Sequence, residues 1–185
     1  YGRVFDRLRD AVASWDELLA MPLRRLKTLI KDAGLSGQKA PRLKAIARRL
    51  TADFGRITLD PLREMTDEDA EKYLTSLPGV GVKSAKCVLM YALDREVLPV
   101  DTHVWRVARR LGLLPEALPY GRVHDALEEA VAPTDRYAIH VNAITHGRRV
   151  CLPLHPRCVG CSLRRSCDWY RRPSQAEGKR TSTRP

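Results

Sequence analysis

Four cysteines near the end of the chain have the spacing of a metal-binding loop. Cys151, Cys158, Cys161 and Cys167 form the pattern C-x6-C-x2-C-x5-C, which brings four thiols within 17 residues. Four thiolates this close can hold one tetrahedral Zn²⁺ or one [4Fe–4S] cluster. Zinc ribbons usually place two C-x2-C pairs on separate turns, and this pattern contains one such pair, which favours the cluster. The fifth cysteine, Cys87, falls on the apolar face of a helical pattern and is interpreted as a small hydrophobic residue.

A lysine follows a glycine-containing hairpin, where it can act as a nucleophile. Residues 77–84 read L-P-G-V-G-V-K-S, so that Pro78 and Gly79 end one helix and Val82 begins another. The unpaired N–H groups of such a turn, and of the helix that follows it, suit one phosphate. Lys83 lies in the first turn of that helix, where the helix dipole disfavours an ammonium and favours a free, nucleophilic amine. An ordinary helical hairpin with a solvated lysine explains the same residues.

The charge of the chain favours a polyanionic partner. Lysine and arginine number 33 against 22 acidic residues, which gives a formal net charge of +11 and a pI near 9.8. Residues 148–185 carry ten basic and two acidic residues, a net charge of +8, which leaves +3 for the other 147. No apolar run approaches the roughly 18 residues of a membrane span, and no signal peptide opens the chain. We therefore expect no membrane partner, a monomer, and a cytoplasmic location (nucleoid-associated in a bacterium or archaeon) or a nuclear one in a eukaryote.

The elements that must position these residues are helices. Helical periodicity runs through most of the chain, and no stretch has a convincing strand pattern. Thr66 with Asp69 predicts a capped helix that ends at Ser76, and Asp101 predicts the N-cap of a later one. The sequence therefore predicts an all-α protein. Further helices are predicted over 14–21 (with Ser14 and Glu17 as a capping box), 22–33, 43–54, 82–93, 121–132 and 134–147, with a short extended run over 96–100.

Three motifs together resemble the endonuclease III family. They are L-P-G-V-G-V-K-S, then L-P-V-D-T-H-V-W-R-V, and H-G-R-R-V-C at the start of the cysteine pattern. That family belongs to the helix-hairpin-helix DNA glycosylases, and the resemblance covers about residues 15–170. It implies two helical lobes with a helix-hairpin-helix motif, a C-terminal [4Fe–4S] cluster loop and a DNA cleft between the lobes. On this basis we assign residues 1–95 to a helical barrel lobe with the hairpin, 96–170 to a lobe with the cluster loop, and 171–185 to a disordered basic tail.

The resemblance implies a bifunctional base-excision enzyme. Lys83 matches the family's nucleophile, and Asp101 matches its acidic residue at a separation of eighteen residues. Relatives that only remove adenine or mismatched thymine usually carry serine or tyrosine at the lysine position. The lysine therefore favours removal of oxidised pyrimidines from duplex DNA, followed by cleavage of the abasic site. For Asp101 a plain helix N-cap is the alternative, and capping does not exclude catalysis.

The resemblance also implies contacts with double-stranded DNA that contains damaged bases or abasic sites. Glycines in the hairpin allow close approach to a phosphate. A leucine resembles the family position that wedges into the opposite strand, although loop leucines are common. Arginines flank the first two cysteines, where solvated charge is the alternative to a phosphate contact. His103 and His146 are interpreted as structural. The residues expected to contact DNA are Leu35, Gly79, Val80, Gly81, Arg148, Arg149 and Arg157.

The N-terminal residues depart from the family. Relatives have an earlier stretch, with an apolar helix and a polar loop that plugs the gap in the duplex, and residues 1–14 do not match it. The expectation is a truncated chain or an enzyme of reduced or altered activity. Two other functions therefore stay open: a DNA-binding module whose cluster is structural or senses redox state, and a zinc-stabilised binding protein. The Lys83–Asp101 pair favours the glycosylase, and the missing stretch favours the binding module.

Overall fold

In the computed structural model, residues 2–115 and 117–172 are described, and they form helices and turns without a β-strand. This confirms the all-α prediction. Most of the predicted tail, from residue 173, lies outside the described residues. No helix in the described part of the chain has the length and apolarity needed to cross a membrane. The helices are α1 (Gly2–Arg9), α2 (Glu17–Ala20), α3 (Leu23–Leu29), α4 (Ser36–Phe54), α5 (Asp67–Ser76), α6 (Val82–Ala92), α7 (Thr102–Leu111), α8 (Val123–Ala130), α9 (Arg136–Arg149) and α10 (Asp168–Arg171).

The chain divides into two compact units, one that ends at Gly81 and one that begins at Val82. The predicted lobe boundary, between residues 95 and 96, stays a prediction. A buried ion pair, described below, joins α6 to α8 within the second unit. The cleft between lobes stays a prediction.

Each unit has its own apolar core. In the first unit, α1, α2, α3 and α4 contribute buried residues, and in the second the core lies between the extended run and helices α7 and α8. Burial of aliphatic side chains is the main favourable term in folding, so each cluster stabilises its own unit. The clusters are Leu8, Leu18, Met21, Leu26, Ile30 and Ala40, and Leu98, Val100, Val104, Ala108, Leu114, Val123, Leu127 and Val131.

Local capping signals place the helices next to the motifs. The Thr66 hydroxyl accepts a hydrogen bond from the Asp69 N–H at 3.1 Å, which confirms the predicted start of α5. The capping box predicted at Ser14 is wrong: the carboxylate of Glu17 accepts from the Ala13 N–H instead, and α2 has no side-chain cap. Helix α1, which contributes Leu8 to the first core, is not among the predicted helices.

Helix α4 begins seven residues before the predicted start at 43 and runs through Pro41. Proline lacks a backbone donor and usually marks a helix boundary, and Pro41 is the sixth residue of α4, so the apolar pattern after it marks the start of the helix too late. The helix ends at Gly55, whose φ of 77° is left-handed, as the sequence predicts for a glycine at this position.

Candidate active site

Lys83 lies in the first turn of α6, directly after the hairpin turn. The Val80 N–H donates to the Leu77 carbonyl at 3.1 Å, which closes the turn between the end of α5 and the start of α6. The Lys83 side chain is exposed, and within the described residues its amine makes no hydrogen bond or ion pair. An amine at this position can reach a bound molecule without first breaking an internal contact.

Gly79 is required by both the backbone and the packing of the turn. Its φ of 78° is left-handed, where residues with a side chain are strained. A Cβ at this position would lie 2.5 Å from Cδ of Arg42, so the arginine stem would have to move. A Cβ at Gly81 would lie in open space, so packing does not require a glycine at this residue.

Asp101 is the N-cap of α7, as predicted. One carboxylate oxygen, Oδ1, accepts from the N–H groups of His103 and Val104, each at 2.8 Å. These two bonds satisfy donors that the first turn of a helix would otherwise leave unpaired. The carboxylate is half-buried and therefore held at a fixed place at the start of α7.

The extended run that leads to Asp101 is held by side chains, since it has no strand partner. The Leu98 N–H donates to Oε1 of Glu128 at 2.6 Å, and the Val100 N–H donates to Nδ1 of His124 at 3.3 Å. Buried backbone groups need partners, and helix α8 supplies both of these in place of a neighbouring strand. The approach to Asp101 is thereby fixed by α8.

The same glutamate ties this run to the helix that carries Lys83. Nζ of Lys86 lies 2.8 Å from Oε1 of Glu128, and the two side chains are only 6% and 19% exposed. Lys86 follows Lys83 by three residues on α6. Through Glu128, therefore, α6 and the run before Asp101 share one buried anchor.

His140 on α9 is a site neighbour that the sequence analysis does not identify. Its Nδ1 lies 2.7 Å from the carbonyl of Pro99, and its ring packs edge-on against Tyr91, with centroids 5.8 Å apart. Burial lowers the pKa of His140, although the Pro99 carbonyl and the charge of Asp101 oppose this, and the charge of Lys83 lowers it further. A histidine inside an apolar helical pattern was the only signal for this residue in the sequence.

Two aromatic residues complete this surface. Tyr91 lies two turns after Lys83 on α6, and its ring meets that of Tyr137 edge-on at 5.9 Å. Burial raises the pKa of Tyr91, and Cys87, Tyr137 and Asp101 add to the increase. Cys87, between Lys83 and Tyr91 on the helix, is half-buried, not fully buried.

Leu35 adopts an unusual backbone conformation. Its φ of 55° is left-handed, and 69% of the residue is exposed. Its carbonyl accepts from the N–H groups of Gln38 and Lys39, so it forms the entry to α4. Backbone strain of this kind is often found at functional sites, which makes Leu35 a candidate contact residue.

All four cysteines of the predicted loop line one small cavity of about 20 Å³, whose other walls are mostly apolar. The four are free thiols, without a disulfide among them. Among residues 2–115 and 117–172, no three His, Cys, Asp or Glu side chains converge closely enough to hold a single metal ion. The four cysteines therefore line one cavity at separations wider than those around a bound metal ion.

Two arginines of α7 fasten the cysteine loop. Arg110 donates to Sγ of Cys151 at 3.2 Å and to the carbonyl of Leu152 at 2.7 Å, and its own carbonyl accepts from the thiol of Cys167 at 3.2 Å. Arg106 donates through Nε to the Cys151 carbonyl at 2.9 Å. One helix face therefore holds both ends of the loop, which the spacing of the arginines alone does not reveal.

The three arginines predicted to contact DNA lie close together along the chain path. Arg148 and Arg149 form the exposed end of α9, and Arg157 is exposed on the loop that follows Cys151. The Arg157 N–H donates to the Val150 carbonyl at 2.9 Å, so this loop returns to the end of α9. Because these arginines are exposed, they can bind the phosphates of a polyanion at a small cost in free energy.

Comparisons with known proteins agree with these motifs. A profile of the HhH-GPD superfamily base excision DNA repair proteins matches residues 1–133. Endonuclease III of Thermotoga maritima is 36% identical over 179 residues, which cover 96% of this chain and 79% of that protein. The DNA glycosylase/AP lyase ROS1 of Arabidopsis thaliana is 30% identical over 170 residues, which cover 83% of this chain. The chain spans only 10% to 14% of the length of such plant relatives.

A solved structure of an endonuclease III trapped as a covalent intermediate with DNA has the same fold. It superposes with a TM-score of 0.76 at 27% identity, over 91% of this chain and 75% of that one. The chain therefore belongs to the HhH-GPD superfamily of base excision DNA repair proteins and, within it, to the endonuclease III family that its motifs resemble.

Proposed function

We propose that this chain is a DNA glycosylase with AP lyase activity, in which Lys83 is the nucleophile and Asp101 the catalytic carboxylate. The observation that carries the proposal is an exposed amine on α6 that has no partner among the described residues, in the same compact unit as a carboxylate fixed as the N-cap of α7. The trapped endonuclease III–DNA intermediate supports the covalent chemistry, and the AP lyase named among the relatives supports the second activity.

The proposed reaction begins when a damaged base leaves the stack, because no side chain reaches C1′ in an intact duplex. Departure of the base develops positive charge on the sugar, which the carboxylate of Asp101 stabilises. The Lys83 amine attacks C1′, a C–N bond forms as the bond to the base breaks, and the base leaves with a proton. Ring opening gives a Schiff base, which acidifies the C2′ proton. Loss of that proton expels the 3′ phosphate.

DNA is held in this proposal by groups that do no chemistry. The N–H groups of the hairpin turn and the first turn of α6 bind a phosphate, with Gly79 allowing close approach. Arg148, Arg149 and Arg157 add phosphate contacts, which position the duplex without reading its sequence. Leu35 fills the space that the extruded base leaves, and its strained, exposed conformation supports that assignment.

We propose that the four cysteines hold a [4Fe–4S] cluster. Four thiols line one cavity, and an arginine N–H already donates to one sulfur, as expected around a thiolate that carries negative charge. When bound, the cluster cross-links the loop and adds a one-electron redox centre. Cys151, Cys158, Cys161 and Cys167 would hold it, and the loop would then present Arg157 beside the end of α9.

Oxidised pyrimidines in duplex DNA are the proposed substrates, because Lys83 supplies the amine that the lyase step needs. The partner is double-stranded DNA with such a base or with an abasic site. We propose that the protein acts as a monomer in the compartment that holds the genome. The net charge of +11 supports a partner of this kind.

Single-turnover assays on duplexes that differ at one position test the proposal. Thymine glycol, an abasic site, a thymine mismatched with guanine and undamaged thymine are compared in the same sequence. We expect base release and strand cleavage with thymine glycol, cleavage alone at the abasic site, and little reaction with the other two. Binding of all four duplexes without any cleavage would instead identify a non-catalytic DNA-binding module.

Metal analysis of the purified protein tests the cluster. We expect about four iron and four sulfide per chain, with a visible absorption band, and Cys158→Ser should lower both because folding and metal binding are coupled in so short a loop. Cys87→Ser is the matched control, since Cys87 lies outside the loop, and its iron content should not change. One zinc per chain and no iron would contradict the cluster.

A further inference from the structure

We propose that His140 is a positioning residue for this reaction: its Nδ1–H donates to the Pro99 carbonyl and so fixes where Asp101 stands relative to Lys83. This inference rests on the proposed function and adds a residue that the motifs do not contain. His140 lies on α9, outside all three of the motifs that resemble the family.

The hydrogen bond has one possible direction. A carbonyl oxygen can only accept, so Nδ1 of His140 carries the hydrogen, and the distance of 2.7 Å is that of a good bond. The ring is 1% exposed, so water does not compete for this contact. Pro99 stands two residues before Asp101, and proline has little backbone freedom. The hydrogen bond from His140 to the Pro99 carbonyl therefore restrains the backbone that leads to Asp101, the N-cap of α7.

The same ring also contacts the helix that carries the nucleophile. It packs edge-on against Tyr91, which lies on α6 two turns after Lys83. One side chain thus touches both structural supports of the site, the α6 helix and the run before Asp101. The charges of Asp101 and Lys83 both act on the ring, which places it within electrostatic range of the two groups.

The contribution of His140 is geometric. Burial lowers its pKa, so the ring is uncharged at neutral pH. The titratable groups that act on it are Asp101 and Lys83 through their charges and Tyr91 through the ring contact. A neutral donor of the same reach should therefore replace it.

Three substitutions separate the donor from the ring. In His140→Asn the amide nitrogen is bonded to Cγ, as Nδ1 is, and can make the same bond. His140→Gln moves the donor one bond further out, and His140→Leu removes it. We expect Gln and Leu to slow single-turnover base release about tenfold, which corresponds to about 1.4 kcal/mol, with affinity for abasic duplex within about threefold of wild type. Asn should restore the rate to within about threefold, with an unchanged pH profile above neutrality.

The control is Leu114→Ala, which removes buried volume from the second core without touching the Pro99 carbonyl. It should lower the free energy of unfolding but not the rate. If His140→Leu does not fold, the comparison of Asn with Gln decides alone. Rates for Gln within about twofold of wild type, or equal losses for Asn and Gln, would overturn the inference.

A readout that needs no activity keeps this test separate from the proposed function. Hydrogen exchange of the His103 and Val104 amides reports the cap that Asp101 makes. We expect faster exchange in His140→Gln than in His140→Asn, and equal exchange would contradict the positioning. An inactive wild-type protein that still shows this difference would refute the proposed function and leave the positioning in place.

Discussion

Replacing Asp101 should separate the stability that it gives α7 from the chemistry that it does. Its Oδ1 accepts two N–H bonds of 2.8 Å at the start of the helix. Asparagine presents an oxygen at the same place and caps helices as well as aspartate does, so Asp101→Asn should change the free energy of unfolding by less than about 0.5 kcal/mol. Asp101→Ala removes both bonds and should cost about 1 kcal/mol.

The two variants should nevertheless lose activity alike. Both lack the negative charge that stabilises the sugar as the base departs, so base release should slow by roughly 10² or more in each. The assay is single-turnover release of thymine glycol at saturating enzyme, with unfolding in urea measured on the same preparations. The matched control is Thr66→Ala, which removes the side-chain cap of α5 at a similar cost in stability. It should keep the wild-type rate.

A wild-type rate for Asp101→Asn would reduce Asp101 to a structural cap. A rate that falls in proportion to stability across Asp101→Asn, Asp101→Ala and Thr66→Ala would lead to the same conclusion. In either case the carboxylate assignment in the reaction would be wrong.

Three further predictions follow from other contacts. Arg157→Ala should weaken binding to damaged and undamaged duplexes equally, and should lower the slope of log affinity against log salt by about one unit. An unchanged slope would mean that the loop does not contact DNA. Glu128→Gln keeps an acceptor for the Leu98 N–H but removes the charge that pairs with Lys86 at 2.8 Å. Urea unfolding should therefore show that the free energy of unfolding falls by about 3 kcal/mol. A fall of less than about 1 kcal/mol would mean that this pair does not hold α6. Burial lowers the pKa of His140, so below about pH 6.5 the unfolded chain binds more protons than the folded one. The free energy of unfolding should therefore fall as the pH drops through that range. In His140→Asn this free energy should fall less steeply with pH.

The parts of the fold that the sequence predicts are those set by near neighbours in the chain. The caps at Thr66 and Asp101 each depend on a donor within three residues, so their signals are local. The four cysteines are similar, since 17 residues contain the whole loop and the structure gathers their side chains around one cavity. Local patterns of this kind need no knowledge of the tertiary fold.

The parts that the sequence does not predict depend on distant partners. Glu128 reaches Leu98 across 30 positions, and His140 reaches Pro99 across 41, and no period or spacing signals either bond. The buried pair of Lys86 and Glu128 spans 42 positions, and no local pattern signals it either. The start of α4 at Ser36 also escapes the apolar pattern, because the helix continues through Pro41, a residue that usually marks a boundary.

Borohydride trapping followed by peptide mapping identifies the nucleophile directly. Reduction of the Schiff base fixes the amine to the sugar, so digestion and mass spectrometry of the product identify the residue that attacked C1′. With abasic duplex, we predict one covalent adduct, on the peptide that contains Lys83, and none with Lys83→Ala, which should still bind the duplex within about tenfold of wild type because other groups hold the phosphates. An adduct on Lys86 or any other residue, or full trapping by Lys83→Ala, would contradict the central claim.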